Sequence, residues 1–284
     1  GDVYKRQGEF QVKSDTKVLT LKGRKKLKED KLYVGDFVEV DEDLGVVERL
    51  LPRRNFLIRP PLANVEQALI VLAPIPKPDL MLVDKLLIKF FSLGITPVIV
   101  INKIDICSTA VIEEITAQYG KICQICLISA LDYNTTSTVL NPVLSGKFSI
   151  LTGQSAVGKT SILNCLLPDV QMETGELSRI GRGRNTTRHS EIFVLENGAM
   201  LADTPGFNAF ELDDFSPENI IDNYPEFKDF SPNCKYNNCN HISEKIEDCA
   251  VKRALAEGKI SKPRYERFVQ LFNTAVEKEK KIYG

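Results

Sequence analysis

The chain has 284 residues, 43% of them hydrophobic and 26% charged, with a formal net charge of −1. This is enough for a soluble protein of two or three domains, and no apolar run approaches a membrane span, so no membrane partner is expected. Seven cysteines without a secretory leader point to reduced thiols or metal ligands in the cytoplasm.

The first residues, Gly1-Asp2-Val3-Tyr4-Lys5-Arg6-Gln7, are polar and unlike the rest of the chain, and they are set aside as an assembly scar outside the fold. Across 8–60, short β-rich runs (Val18–Leu21, Asp36–Val40, Gly45–Leu50) alternate with turns, which predicts a small barrel. Lys22-Gly23-Arg24-Lys25-Lys26-Leu27-Lys28 is a basic loop on it, suited to an RNA phosphate backbone.

Residues 61–215 read as an α/β body. Asp79 caps a helix through Leu93, with Val83, Leu86, Leu87, Phe90 and Phe91 on one face and Gly94 ending it. The β-branched run Pro97–Ile101 predicts a buried parallel strand, and Asn102-Lys103-Ile104-Asp105 follows it directly. A carboxylate only accepts hydrogen bonds, so Asp105 suits guanine's ring N–H and exocyclic amine, a pair of donors adenine lacks on that edge. Asn102 can serve the imidazole side of the base, and the Lys103 stem can lie over its plane. Ser108 caps a second helix ending near Tyr119-Gly120. The strand Gln124–Ile128 then leads to Ser129-Ala130, whose small residues let backbone N–H groups reach the guanine carbonyl. Cys123 and Cys126 have redox-type spacing, but no helix follows directly, so they are read as structural thiols.

The apolar strand Phe148–Leu151 runs into Gly153-Gln154-Ser155-Ala156-Val157-Gly158-Lys159-Thr160-Ser161, and a helical run follows. This is a phosphate loop in its required context. Its glycines let the backbone N–H groups converge on phosphate oxygens, and the helix N-terminus adds a positive field. Lys159 reaches the β- and γ-phosphates, and the Thr160 hydroxyl is placed for magnesium. From Pro168 to His189 runs a long segment without apolar periodicity, carrying Arg179, Arg182, Arg184 and Arg188, which predicts a mobile switch. Its Thr186 or Thr187 supplies the second magnesium hydroxyl. Ser190–Leu195 and Ala199–Asp203 flank Asn197-Gly198 and predict a hairpin. Asp203-Thr204-Pro205-Gly206 ends it, Asp203 holding magnesium through water and the Gly206 N–H sensing the γ-phosphate.

Positions 203–250 turn acidic, with 11 Asp or Glu against 3 Lys or Arg. Within them lie Cys234, Cys239, His241 and Cys249, the three-thiolate, one-imidazole set that tetrahedral structural zinc prefers. The tail is helical: Asp248 to Glu257, a stop at Gly258, then a helix opened by Pro263 with Phe268, Leu271, Phe272, Ala275 and Val276 on one face. Lys252, Arg253, Lys259, Lys262, Arg264 and Arg267 are expected on an exposed, RNA-facing side.

In the ordinary GTPase order the phosphate loop comes first and the guanine-reading pair last. Here the pair precedes the loop and Asp203 comes last, so the same sheet requires a circularly permuted chain. This order resembles the RsgA (YjeQ/YloQ) family of ribosome small-subunit-dependent GTPases, from about Val12 to Tyr283. The motifs carrying the resemblance are Arg59-Pro60-Pro61, Asn102–Asp105, the phosphate loop, Gly181-Arg182-Gly183, Asp203-Thr204-Pro205-Gly206-Phe207 and the Cys/His cluster.

The resemblance implies an OB-fold at 8–60, a circularly permuted P-loop GTPase domain at 61–215 and a helical zinc-binding domain at 216–284. It also implies GTP/GDP and Mg2+ as cofactors and the small ribosomal subunit with its rRNA as partner, for a monomer acting in late subunit maturation. The family's last zinc-ligand gap is shorter, implying a small insertion before Cys249. The family places a catalytic His just before its paired threonines, and here that position is Asn185. An amide holds water but is no base at neutral pH, and Phe207 stands where many GTPases have a water-orienting Gln. Slow intrinsic turnover, raised by a partner, is therefore expected. The alternative is a nucleotide-dependent ribosome-binding sensor with little turnover, and an ATP-using P-loop kinase is a third reading.

Overall fold

The computed structural model describes residues 2–6, 9–13, 18–23, 32–167, 191–195, 197–203 and 215–283. The N-terminal sheet has five strands: β1 (Asp2–Arg6), β2 (Glu9–Lys13), β3 (Val18–Gly23), β4 (Val38–Asp41) and β5 (Val46–Leu50). Their order is β1-β2-β3-β5-β4, antiparallel except where β3 meets β5. Val12, Leu21, Leu32, Val38 and Val47 form its core. The segment set aside from the fold is therefore part of it: β1 pairs along its length with β2, from Asp2 opposite Lys13 to Arg6 opposite Glu9. Polar composition hid this strand because an edge strand takes its ladder from one neighbour and is normally polar.

A hairpin of β6 (Phe56–Leu57) and β7 (Leu62–Ala63) turns through Arg59-Pro60-Pro61, and its Leu57 and Leu62 are buried beneath the next sheet. Two polar clasps fix the N-terminal unit to this hairpin. Buried Asp36 accepts from Arg53 Nε at 2.6 Å, and buried Asn64 donates to the Gly35 carbonyl at 2.8 Å.

The central body follows in chain order as β8 (Gln67–Leu72), α1 (Leu80–Ser92), β9 (Thr96–Ile101), α2 (Thr109–Tyr119), β10 (Gln124–Leu127) and α3 (Tyr133–Leu144). It continues with β11 (Phe148–Thr152), α4 (Lys159–Leu166), β12 (Glu191–Val194) and β13 (Met200–Asp203). The sheet order is β10-β9-β8-β11-β13-β12, parallel throughout except for β12. Alternation along the strands sorts side chains to two faces. Ala68, Ile70 and Leu72 of β8 meet α1 and α2, while Leu69 and Val71 meet the layer of α3 and α4. All six β8 residues are buried, as a parallel strand covered on both faces requires. Asp79 caps α1 by accepting from Leu82 N at 3.0 Å.

Beyond an Asp at its N-cap, helix α3 has little signal in the sequence. Its run Asn134–Thr138 consists of weak helix formers, and Pro142 lies inside it. Asp132 caps it, and burial of Leu140, Val143 and Leu144 holds it against the sheet. Tertiary packing outweighs local propensity there.

The C-terminal module comprises α5 (Pro217–Asp222), α6 (Ala250–Ala256) and α7 (Lys262–Tyr283). Phe268 of α7 meets Phe227 edge-on at 4.8 Å and Tyr224 at 5.0 Å, and Ile88 of α1 enters the same core. The basic side expected on these helices is largely not exposed. Arg264 is 1% exposed and bonds Glu226 and fully buried Asp84 of α1. Arg267 bonds Asp84, Gln118 and the Tyr119 hydroxyl. Lys252 donates to the Ile242 and Glu244 carbonyls, and Arg253 to that of Glu247. The partner Asp84 lies 180 residues from Arg264 in sequence, so no helical pattern could reveal it.

Candidate functional site

Strand β11 ends at the carboxyl edge of the sheet, where open α/β sheets bind ligands. Beyond it, Gly153 has φ of 131°, and a Cβ there would stand 2.2 Å from the Val71 carbonyl oxygen. Gly158, in the left-handed region, is the N-cap of α4. Between them Val157 is buried while Ser155 and Ala156 face outward. Lys159 donates to the carbonyls of Gly153 and Gln154 at 2.8 and 2.7 Å, so its ammonium stands across the loop. Thr160 and Ser161 occupy the first turn of α4, where unpaired backbone N–H groups and the helix field favour an anion.

The residues expected around guanine are joined to this loop by side-chain bonds. Asn102, 1% exposed, donates Nδ2 to the Val157 carbonyl at 2.9 Å, and its Oδ1 accepts from Ala130 N at 2.9 Å. One amide thus links the turn after β9, the turn after β10 and the phosphate loop. Lys103, at φ of 61°, donates to the carbonyls of Ala156 and Ile75. Asp105, exposed, is held by the Ser129 hydroxyl at 2.6 Å, leaving carboxylate lone pairs open to a base. The Asp203 backbone ends β13 opposite Leu151, one strand from the loop. The Asp203 side chain, and all of Asn185, Thr186, Thr187, Gly206 and the Arg179–Arg188 loop, lie outside the described residues.

One contact was not legible in the sequence. Gln154 accepts from the backbone N–H of Asp79 at 2.9 Å and donates to the Lys77 carbonyl at 3.3 Å. The entrance to α1 is therefore bonded to the phosphate loop. A Gln inside the variable part of a loop motif carries no signal for a partner 75 residues away.

Away from the cleft, Cys234, Cys239, His241 and Cys249 bring their ligand atoms within 4.8 Å of one another. His241 Nδ1 lies 3.8, 3.3 and 3.5 Å from the three sulfurs in that order. Its other nitrogen faces the Ser231 hydroxyl at 3.2 Å, which orients the ring and leaves Nδ1 for a metal. Backbone N–H groups of Ala250 and Lys252 point at the sulfurs of Cys234 and Cys249. Burial lowers the His241 pKa and raises those of Cys239 and Cys249, so without a cation these thiols stay protonated. Four buried or half-buried soft donors converging on one point fit a tetrahedral metal. Cys123 and Cys126 are buried, free and away from this cluster, and burial pushes the Cys123 thiol up to about 12.

Among the described residues, no helix is long and apolar enough to cross a membrane. The family model for the RsgA GTPase matches residues 50–213. The small ribosomal subunit biogenesis GTPase RsgA of Caldanaerobacter subterraneus subsp. tengcongensis is 37% identical over 284 residues, spanning 97% of this chain and 95% of that protein. YjeQ from Thermotoga maritima has a crystal structure that superposes with a TM-score of 0.84 at 30% identity, covering 97% of both chains. The structure of YloQ, described as a circularly permuted GTPase, gives 0.81 at 27% identity, covering 98% of this chain and 94% of that one. Such a family implies guanine nucleotide and Mg2+ at the cleft. With its permuted strand order, its phosphate loop and its matches across almost the whole length, this chain belongs to the RsgA GTPase family.

Proposed function

We propose that this chain hydrolyses GTP to GDP and phosphate in maturation of the small ribosomal subunit, and that the subunit stimulates the reaction. The observation that carries the reading is the buried Asn102 amide, which ties the phosphate loop to both guanine-side turns. In this reading Asp105 accepts from guanine, with Asn102, Lys103, Ser129 and Ala130 around the base. Residues 153–161 hold the phosphates, Lys159 neutralises the β- and γ-oxygens, and Thr160 with Thr186 or Thr187 ligates magnesium, with Asp203 behind a water. Gly206 senses the γ-phosphate. Asn185 positions the attacking water without removing its proton, so turnover is slow until a partner binds.

The relatives' name, small ribosomal subunit biogenesis GTPase, supports the choice of partner. The N-terminal sheet contacts rRNA through its basic loop, Cys234, Cys239, His241 and Cys249 hold one structural zinc, and the protein works as a cytoplasmic monomer. Single-turnover GTP hydrolysis by the zinc-loaded chain, with and without purified small subunits, tests this. Acceleration of about tenfold or more is expected with subunits. Equal rates in both arms would overturn the partner. In the same assay Asn185→His should raise the subunit-free rate by about tenfold or more, because a base replaces an amide.

A further inference from the structure

Helix α1 belongs to two cores at once. Val83, Leu86, Leu87 and Phe90 pack under the central sheet, while Ile88 is buried in the C-terminal module. Its contacts to the nucleotide cleft and to α7 lie within one and a half turns of each other. At its N-terminus the Asp79 backbone N–H and the Lys77 carbonyl both bond Gln154, and Lys103 bridges Ile75 to Ala156. In its second turn Asp84, fully buried, accepts from Arg264 and Arg267 of α7 and from the Tyr119 hydroxyl at 2.8 Å. Glu226 completes a cluster of two carboxylates and two guanidiniums, with Arg264 lying 4.6 Å over the Tyr224 ring. Burial opposes the Arg264 charge, but Asp84 and Glu226 outweigh it and raise its pKa.

A buried carboxylate stripped of its cations has nothing to replace them, so α7 and α1 cannot separate at Asp84 without large cost. A force that shifts α7 is then transmitted to α1 as a rigid body, and from its first turn to the phosphate loop through Gln154. We propose that Asp84 is a positioning residue for the phosphate loop, and that α1 couples nucleotide binding to the seating of the C-terminal module. The coupling is reciprocal: whatever moves the module changes nucleotide affinity, and nucleotide changes how firmly the module is held. This rests on the reading that residues 153–161 hold nucleotide phosphates.

The test is a double-mutant cycle in the zinc-loaded full chain, with fluorescent GDP affinity and amide exchange at Gln154–Ala156 as readouts. Asp84→Asn keeps size and acceptor capacity on one side but faces Arg267 with an N–H group. It should weaken GDP binding by about fivefold or more and speed exchange in the loop. In a Gln154→Ala background, where the direct bonds to the α1 entrance are gone and only the Lys103 bridge from Ile75 remains, Asp84→Asn should have a much smaller further effect on affinity. A merely destabilising substitution would act equally in both backgrounds, since distant independent sites add. Equal effects in both backgrounds, or unchanged affinity in folded Asp84→Asn, overturns the proposal. If Asp84→Asn does not fold, Arg267→Gln takes its place with the same expectations. Absence of GDP binding by the unmodified chain would instead defeat the nucleotide reading and this coupling with it.

Discussion

At Gly158 a Cβ would fall 2.4 Å from Asn102 Nδ2, the donor that grips Val157. Gly158→Ala must therefore break that clasp as well as strain a backbone at φ of 96°. The expected result is GDP affinity lower by about tenfold or more, corresponding to about 1.4 kcal/mol or above, read by fluorescent-nucleotide titration. Asp105→Asn keeps the Ser129 contact possible but loses the charged acceptor proposed for guanine. A charge-assisted bond contributes about 1.5–3 kcal/mol, so GTP affinity should drop roughly ten- to a hundredfold while ATP binding stays as weak as before. The grouping of these residues was legible from their motifs, and Asn102 joins the loop to the turns after β9 and β10. What Asn102 and Gln154 hold was not legible, since both bond partners far along the chain.

Helices were legible where a cap and an apolar stripe agree, as in α1 from Asp79 and in α7 from Pro263. They were not where a cap is followed by weak helix formers and packing supplies the rest, as in α3. The arginines of α7 illustrate the other failure. A cation every few turns on a helix reads as a solvated face, yet Arg264 is covered by Tyr119, Tyr224 and two carboxylates. Arg264→Met would leave Asp84 and Glu226 short of a cation, at a cost of about 3–5 kcal/mol, seen as a clear fall in thermal midpoint. Lys259→Ala, which removes an ion pair with Glu257 on the surface, should leave the midpoint in place. Equal midpoints for the two variants would refute the burial argument.

Across the whole molecule the Cys/His cluster is the joint of the C-terminal module, because Cys249 caps α6 and the Tyr265 hydroxyl of α7 bonds the His241 carbonyl. Removing the proposed cation should loosen these contacts together. Thiol titration at pH 8 should show Cys234, Cys239 and Cys249 becoming reactive on chelation, because loosening exposes them to water and removes the burial that keeps Cys239 and Cys249 protonated. Cys123, packed in the central core, should stay silent until global unfolding. With its thiol pushed up to about 12 by burial, only about one in ten thousand is a thiolate at that pH. Raised pKa means the protonated, unreactive form persists upward through neutral pH, and it is lost only in strong alkali or on exposure. Simultaneous labelling of Cys123 with the three ligands would show that the module does not loosen separately.

The permuted sheet also shapes how the chain is born. β8 is flanked by β9, made soon after it, and by β11, with Ser149 opposite Gln67 and 82 positions later. While the ribosome is still adding those residues, one side of a largely apolar strand has its hydrogen-bonding groups unpaired. Such an open margin invites annealing to other nascent chains, so the price of rotating the gene order is a vulnerable interval during synthesis that ends only when β11 slots in.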